Sequence, residues 1–137
     1  VMLLIPKTRK SGVIMAAALI VDVILCNVIL KNLIARVRPY DVNTAVQVLV
    51  AKPKDFSFPS GHTAASFASV TALYLAGEKK LWKPALALAI LIAFSRMYLY
   101  VHYPTDILGG VIFGSLSAWI GYRISTKVLL YAMMKKE

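Results

Sequence analysis

Residues 11–30 read SGVIMAAALIVDVILCNVIL, and the only charged residue among them is Asp22. A helix rises about 1.5 Å per residue, so about 20 apolar residues are needed to cross the hydrocarbon core of a bilayer. Three further runs with no more than one charged residue follow at 63–77, 84–101 and 107–122. Each run alone would suit a buried helix of a soluble bundle, but four in succession predict membrane helices.

The overall composition agrees with a protein that is surrounded by lipid. Hydrophobic residues make up 59% of the chain, which is more than soluble domains usually carry. No linker, repeat or low-complexity tract divides the sequence, so we expect one domain over residues 1–137. The predicted fold class is all-α, a polytopic membrane helix bundle with about four transmembrane helices.

The basic residues are unevenly distributed between the ends of these helices. The chain has 16 Lys and Arg against 6 Asp and Glu, a net charge of +10. In a soluble protein such a charge suggests nucleic acid, but here the basic residues lie between uncharged runs, as they do in membrane loops. We therefore expect no nucleic-acid partner. The side richer in basic residues is taken as cytoplasmic, and it carries Lys7, Arg9, Lys10, Lys79, Lys80, Lys83, Arg123, Lys127, Lys135 and Lys136.

Small and helix-breaking residues mark helix contacts and helix ends. Gly110, Gly114 and Gly121 are spaced so that neighbouring membrane helices can approach closely. Pro39 is expected to end the first helix, and Ser60 is expected to cap the second. The third helix is expected to end before Pro104, where the fourth begins.

Lys31 and Arg38 form the first of three polar clusters, all on the predicted extracytoplasmic side. They are seven residues apart, which on a helix is two turns and nearly the same azimuth. Two cations would then project from one stripe near a helix end. Basic residues that reach from a membrane helix to the interface have the same pattern, so this pair alone leaves both interpretations open.

The second cluster is Pro59-Ser60-Gly61-His62, at the start of the second predicted helix. Free N–H groups and the positive end of the helix dipole make such a start an anion site. Gly61 allows an anion to approach the backbone, and His62 can exchange a proton there. The alternative is an ordinary helix cap beside a surface histidine.

The third cluster joins Arg96 at the end of an apolar run to His102 and Asp106. A carboxylate that accepts a hydrogen bond from one imidazole nitrogen fixes the tautomer and leaves the other nitrogen free as a nucleophile. Asp106 is alternatively a favourable acid in the first turn of a helix, and His102 an interfacial residue. That alternative leaves an arginine within an apolar helix unexplained.

Together these clusters resemble the three-part signature of the type 2 phosphatidic acid phosphatases. The matching residues are Lys31 with Arg38-Pro39, then Pro59-Ser60-Gly61-His62, then Ser95-Arg96 with His102 and Asp106. The signature is shared with soluble bacterial acid phosphatases and vanadium haloperoxidases, so it specifies the site more closely than the substrate. The resemblance extends over about residues 7–125.

The resemblance also implies an incomplete chain. Membrane members of the family usually have six spanning helices, with the signature on the last four. Residues 1–137 are therefore expected to be a lipid phosphatase domain that lacks two N-terminal helices, and residues 1–5 resemble the end of a truncated helix.

The resemblance and the local chemistry imply a phosphohistidine mechanism. His102 attacks phosphorus while Asp106 orients its ring and stabilises the imidazolium. His62 protonates the leaving oxygen and then activates the water that cleaves the intermediate.

The phosphoryl oxygens are expected to bind a set of cations and backbone N–H groups. The cations take the part that a metal ion has elsewhere, and no Asp, Glu or His cluster has metal-ligand spacing. We therefore expect a metal-independent phosphatase without a cofactor. The predicted phosphate-binding residues are Lys31, Arg38, Ser60, Gly61 and Arg96.

The placement of the site at the membrane surface implies a lipid substrate. Polyprenyl diphosphate, phosphatidate and phosphatidylglycerol phosphate all fit, and family analogy favours an undecaprenyl or other polyprenyl diphosphate. The expected location is the bacterial plasma membrane, with the active site on the extracytoplasmic face. Alternatives are a vanadate-dependent haloperoxidase, a non-catalytic lipid-binding protein and a transporter. No feature predicts an oligomeric state.

Overall fold

The computed structural model describes residues 2–135, and of Ala132 and Met133 it describes the backbone alone. Val1, the first residue of the 1–5 segment above, and Lys136 lie outside this range. Within it the regular secondary structure is helical and no strand occurs, which confirms the all-α class. A 3-10 turn (Pro6–Thr8) is followed by α1 (Arg9–Asp22), a π-helical segment (Val23–Leu30), α2 (Lys31–Ile34), α3 (Pro39–Val42), α4 (Gly61–Leu75), α5 (Trp82–Tyr98) and α6 (Pro104–Met134).

The first apolar run forms one continuous helical rod, because α1, the π-helical segment and α2 follow one another without a break. The rod ends at Ile34, where Ala35 adopts a left-handed conformation (φ 48°). Arg38 is extended (φ −77°, ψ 153°), as a residue that precedes proline prefers to be. The prediction that Lys31 and Arg38 share one helical stripe is therefore wrong, and a turn of the chain brings them together instead.

The other three runs form helices near their predicted positions. Ser60 caps α4 by accepting a hydrogen bond from the Thr63 N–H, and Pro104 occupies the first position of α6, as expected. The fourth helix is longer than its apolar run, because it continues through Arg123 and Lys127. Residues 2–5 form turns and not the end of a helix, so that prediction is wrong for the described residues.

Close contacts through small residues pack α6 against α4 and α1. A Cβ on Gly114 would overlap the backbone carbonyl of Ala64 in α4, and one on Gly121 would lie 2.5 Å from the backbone nitrogen of Ala18 in α1. Such distances require glycine, so the predicted close approach is confirmed. Around these contacts lies a buried apolar cluster made of Ile14, Ala18, Ala68, Ala72 and Ala118.

The outer faces of the helices are apolar and exposed. Two segments, Pro6–Val42 and Pro104–Tyr131, are long and apolar enough to cross a membrane by length and composition. Large side chains on α5 point outward as well, among them Leu91 (66% exposed) and Phe94 (61% exposed). A soluble monomer rarely exposes so much contiguous apolar surface, and this supports the assignment as an integral membrane protein.

Asp22 lies one helical turn beyond the apolar cluster and is fully buried. Within residues 2–135 neither of its carboxylate oxygens has a hydrogen-bond partner. A carboxylate at this depth of a membrane helix is costly unless it is protonated, paired or in contact with water.

Candidate active site

The three polar clusters meet at a cavity of about 570 Å³ where the first helical rod, α4 and the end of α5 come together. The convergence follows from topology, because the C-terminal end of the first rod, the N-terminal end of α4 and the C-terminal end of α5 lie on the same side of the bundle. The cavity is lined by Asn27, Lys31, Arg38, Asp55, Gly61, His62, Arg96 and His102, with apolar side chains between them.

Lys31 and Arg38 both bind the carboxylate of Asp55. Lys31 Nζ donates to Asp55 Oδ2, and Arg38 Nη2 donates to Oδ1 at 2.7 Å. The lysine and arginine side chains are 7% and 3% exposed, whereas that of Asp55 is 52% exposed. Burial alone would raise the pKa of the Asp55 carboxyl, but the hydrogen bonds from both cations outweigh it and hold that pKa below its ordinary value. Asp55 is therefore an anionic counterion to two buried cations.

Several further acceptors fix the Arg38 guanidinium. Its Nε donates to the Asp55 carbonyl at 2.8 Å, and its Nη1 donates to the Val101 carbonyl at 2.8 Å. The same Nη1 lies 3.3 Å from His102 Nε2. A guanidinium can only donate, so His102 Nε2 is the acceptor and the ring proton lies on Nδ1.

The other side of the His102 ring faces Asp106. His102 Nδ1 lies 3.4 Å from Asp106 Oδ2, so the carboxylate faces the protonated nitrogen and the unprotonated Nε2 faces the cavity. Burial is the main cause that lowers the pKa of His102, and the hydrogen bond with Asp106 opposes this effect without cancelling it. The imidazole is accordingly neutral near pH 7, and its Nε2 lone pair accepts the contact from Arg38 Nη1 at the cavity wall.

Asp106 is completely buried and accepts hydrogen bonds from three groups besides His102. Arg36 Nη1 donates to Oδ1 at 2.9 Å, while the Ser57 hydroxyl and the Tyr103 N–H donate to Oδ2 at 2.5 and 2.9 Å. The Arg36 guanidinium also lies over the Tyr103 ring, 4.0 Å from its centroid. These contacts satisfy the charge of a carboxylate that no water reaches, and they fix its position beside the imidazole.

The Pro59-Ser60-Gly61-His62 segment contributes differently from what its sequence predicts. The backbone N–H of Ser60 donates to the carbonyl of Asp106 at 3.0 Å, so it is not free for a phosphoryl oxygen and that part of the prediction is wrong. This bond connects α4 to the start of α6. Gly61 and His62 both line the cavity, as the sequence predicts.

Arg96 lies in the last turn of α5 and lines the same cavity. Within residues 2–135 its guanidinium makes one hydrogen bond, from Nε to the Ser95 hydroxyl at 3.1 Å, and no ion pair. Of the three cations on the cavity wall that the motifs identify, Arg96 is thus the one without a carboxylate partner in the described structure.

Three residues of this site escape sequence reasoning, namely Arg36, Asp55 and Ser57. Arg36 is one of several basic residues near a helix end, and the other two lie in the irregular segment before α4. The one signal available was the position of Ser57 two residues before Pro59. Across residues 2–135, no three His, Cys, Asp or Glu side chains are grouped to hold a metal ion.

Comparison with known proteins agrees with this geometry. The sequence-family model of the PAP2 superfamily matches residues 11–129. An undecaprenyl-diphosphatase from Sulfolobus acidocaldarius is 30% identical over 125 residues, which cover 91% of this chain and 60% of that protein. Phosphatidylglycerophosphatase B from Bacillus subtilis is 39% identical over 102 residues, which cover 67% of this chain and 47% of that protein. The chain thus spans about half the length of these relatives.

A solved structure is similar as well. The crystal structure of a transmembrane PAP2 type phosphatidylglycerolphosphate phosphatase from Bacillus subtilis superimposes with a TM-score of 0.69 at 33% identity. The match covers 93% of this chain and 64% of that chain. The resemblance carried by the three motifs is confirmed, and the chain belongs to the PAP2 superfamily.

Proposed function

We propose that the protein is a membrane lipid phosphatase that hydrolyses a phosphomonoester or diphosphate headgroup through a phosphohistidine intermediate. The observation that carries the proposal is the orientation of His102. Its unprotonated Nε2 faces a cavity lined by cations, while Asp106 lies behind Nδ1. A surface histidine has no need of this arrangement, whereas a nucleophile requires it.

In the first step, His102 Nε2 attacks phosphorus and the bond to the leaving oxygen breaks. Asp106 stabilises the imidazolium as its charge develops, and His62 gives a proton to the departing oxygen. In the second step, His62 removes a proton from water, which attacks the phosphohistidine and releases inorganic phosphate. The leaving oxygen ends on the lipid, and His102 is regenerated.

Lys31, Arg38 and Arg96 stabilise the negative charge on the phosphoryl oxygens during both steps. The backbone N–H of Gly61, at the start of α4, adds a donor at the positive end of the helix dipole. Because three fixed cations supply the positive charge, we propose that the reaction needs no metal ion.

Among lipid headgroups we favour a polyprenyl diphosphate. The relatives named above are an undecaprenyl-diphosphatase and a phosphatidylglycerophosphatase, so both a diphosphate and a monoester are reasonable substrates. The exposed apolar faces of the helices support lateral entry of a lipid from the membrane. We further propose that about four helices span the plasma membrane, with the cavity on its extracytoplasmic side.

Phosphate release by the purified protein in detergent tests this function. With EDTA present, we expect release from undecaprenyl diphosphate, phosphatidate or phosphatidylglycerol phosphate, and inhibition by vanadate, which mimics the five-coordinate state. The matched comparison is Lys31→Gln against Lys52→Gln, since Lys52 lies outside this cavity.

Activity that vanished with EDTA and returned with magnesium would contradict metal independence. Lipid binding without phosphate release would favour the non-catalytic alternative. Oxidation of bromide by peroxide in the presence of vanadate would favour a haloperoxidase.

A further inference from the structure

Among the described residues of the cavity wall, Asp55 is the one charged residue that the proposed reaction does not use. Its two carboxylate oxygens bind Lys31 and Arg38, the same cations that the reaction requires for phosphoryl oxygens. A carboxylate and a phosphoryl group both present anionic oxygens to a pair of donors. A phosphoryl group that binds Lys31 Nζ and Arg38 Nη2 directly would therefore compete with Asp55 for these two groups.

The surroundings of Asp55 allow its carboxylate to leave. The side chain is 52% exposed, so water can hydrate the carboxylate once it is released. Asp55 also borders a second cavity of about 490 Å³, which leaves room for the displaced group. A fully buried counterion such as Asp106 has neither property.

The Arg38 guanidinium keeps two of its hydrogen bonds when the carboxylate leaves. Arg38 Nε donates to the backbone carbonyl of Asp55, and Nη1 donates to that of Val101, each at 2.8 Å. A rotation of the Asp55 side chain releases Nη2 and Lys31 without changing these bonds. The arrangement is thus preorganised to exchange one anion for another.

We propose that Asp55 is an internal competitor for the phosphate site, which occupies Lys31 and Arg38 in the substrate-free protein and gives way to the phosphoryl group. The inference rests on the proposed function, because it assigns these cations to phosphate. When a site is free for a fraction of the time, its apparent affinity is reduced by that fraction. Asp55 therefore weakens the binding of substrate and of product phosphate alike, and it promotes product release.

The test is the binding of inorganic phosphate and vanadate to the Asp55→Asn protein in detergent. Asparagine is nearly isosteric but carries no charge, so we expect both anions to bind about two- to fivefold more tightly, the upper range for an ion pair with an exposed partner. Labelled phosphate in equilibrium dialysis gives the dissociation constant without turnover, and inhibition constants give the same quantity during turnover. Both anions should change by the same factor, since both compete with the same carboxylate.

Two further variants separate competition from other effects. Asp41→Asn removes the same charge from a carboxylate that lines the second cavity and pairs with neither cation, so phosphate binding should stay at the wild-type value. Asp55→Glu retains a carboxylate and should bind phosphate more like the wild type than like Asp55→Asn. Thermal unfolding midpoints confirm that each variant is folded.

Weaker phosphate binding by Asp55→Asn would overturn the inference, since it would mean that Asp55 only holds Lys31 and Arg38 in position. An unchanged constant, or an equal gain in Asp41→Asn, would overturn it as well. Failure of this inference and failure of the proposed function give different results. If Asp55→Asn binds phosphate more tightly but the protein hydrolyses no lipid, the competitor role is supported and the phosphatase function is refuted. If the protein hydrolyses lipid but Asp55→Asn binds phosphate more weakly, the phosphatase function is supported and the competitor role is refuted.

Discussion

At the cavity end of the bundle, hydrogen-bonded carboxylates and cations hold the chain together, whereas further along α6 the helices meet through glycine and alanine. Asp106 alone receives hydrogen bonds from Arg36, Ser57 and Tyr103. Gly114 and Gly121 instead lie directly against the backbones of α4 and α1. A polar cluster depends on every partner, because one unsatisfied buried group is costly. The contacts of Gly114 and Gly121, here called the packed end, depend instead on small side-chain volume. Substitutions in the polar cluster should therefore lower turnover, whereas substitutions at the packed end should lower stability.

The largest effect should come from Asp106→Asn. Asparagine replaces one carboxylate oxygen with an NH₂ group, which cannot accept a hydrogen bond. That group would face N–H or O–H donors that bind the carboxylate in the wild type. The asparagine side chain would also no longer fix the His102 tautomer. By analogy with other carboxylate–imidazole pairs, we expect kcat to fall by about 10³- to 10⁴-fold. Initial rates of phosphate release measure this, with Asp41→Asn as the matched control. A loss of kcat below tenfold would contradict the claim that the cluster around Asp106 depends on every hydrogen-bond partner.

Arg36→Gln and Ser57→Ala should each lower kcat by about 10- to 100-fold, as is found for groups that orient a functional side chain. Both residues act through Asp106, so KM should change little. Adding either substitution to Asp106→Asn should cause almost no further loss, because residues of one network are not additive. Fully additive losses in a double-mutant cycle would mean that these residues act by another route.

Gly114→Ala should lower stability with little effect on the turnover of the folded protein. Its new Cβ would overlap the Ala64 carbonyl, so α4 and α6 must move apart at a cost of about 1–3 kcal/mol. The control is Leu116→Ala on the same helix, where the side chain is 41% exposed. Thermal midpoints in detergent measure the difference. Equal midpoints for the two variants would refute the claim that close packing of Gly114 against α4 stabilises the bundle.

The smallest effect is a shift in the titration of His102. Its pKa is lowered, chiefly by burial, so the ring should stay neutral down to a pH below the ordinary 6.5. The nucleophile then protonates, and becomes inactive, only at lower pH. The hydrogen bond with Asp106 raises this pKa, so Asp106→Asn should lower it further.

Nitrogen NMR can follow this titration directly, because the chain has 2 histidines and His62→Gln assigns the signals. A His102 pKa above 6.5, or an upward shift in Asp106→Asn, would contradict the burial argument.

The sequence predicts the packed end better than the polar end. Spacing alone identifies Gly114 and Gly121, since a helix repeats its contacts with a fixed period. Likewise, Lys31, Arg38, His62, Arg96 and His102 are correctly predicted to come together. Their motifs lie at helix ends, and the helix topology determines where those ends meet.

The features that the sequence does not predict lie in irregular segments, which have no helical repeat. The left-handed Ala35 ends the first rod before Arg38, so a prediction based on helical azimuth fails. Asp55 and Ser57 reach the cavity from irregular chain, where no spacing rule applies. The Ser60 N–H is taken by the carbonyl of Asp106, a contact between residues far apart in the chain. Such contacts depend on tertiary structure and leave no local pattern.

The central claim is that His102 is the nucleophile and His62 the acid and base. The most direct test is a rapid quench of His62→Ala with a ³²P-labelled aryl phosphate, whose good leaving group needs no proton. Attack by His102 then proceeds while hydrolysis lacks its base, so a phosphohistidine that survives alkali and is lost in acid should accumulate. His102→Ala should carry no label under the same conditions. Label retained by His102→Ala, or absent from both proteins while phosphate is still released, would contradict the account.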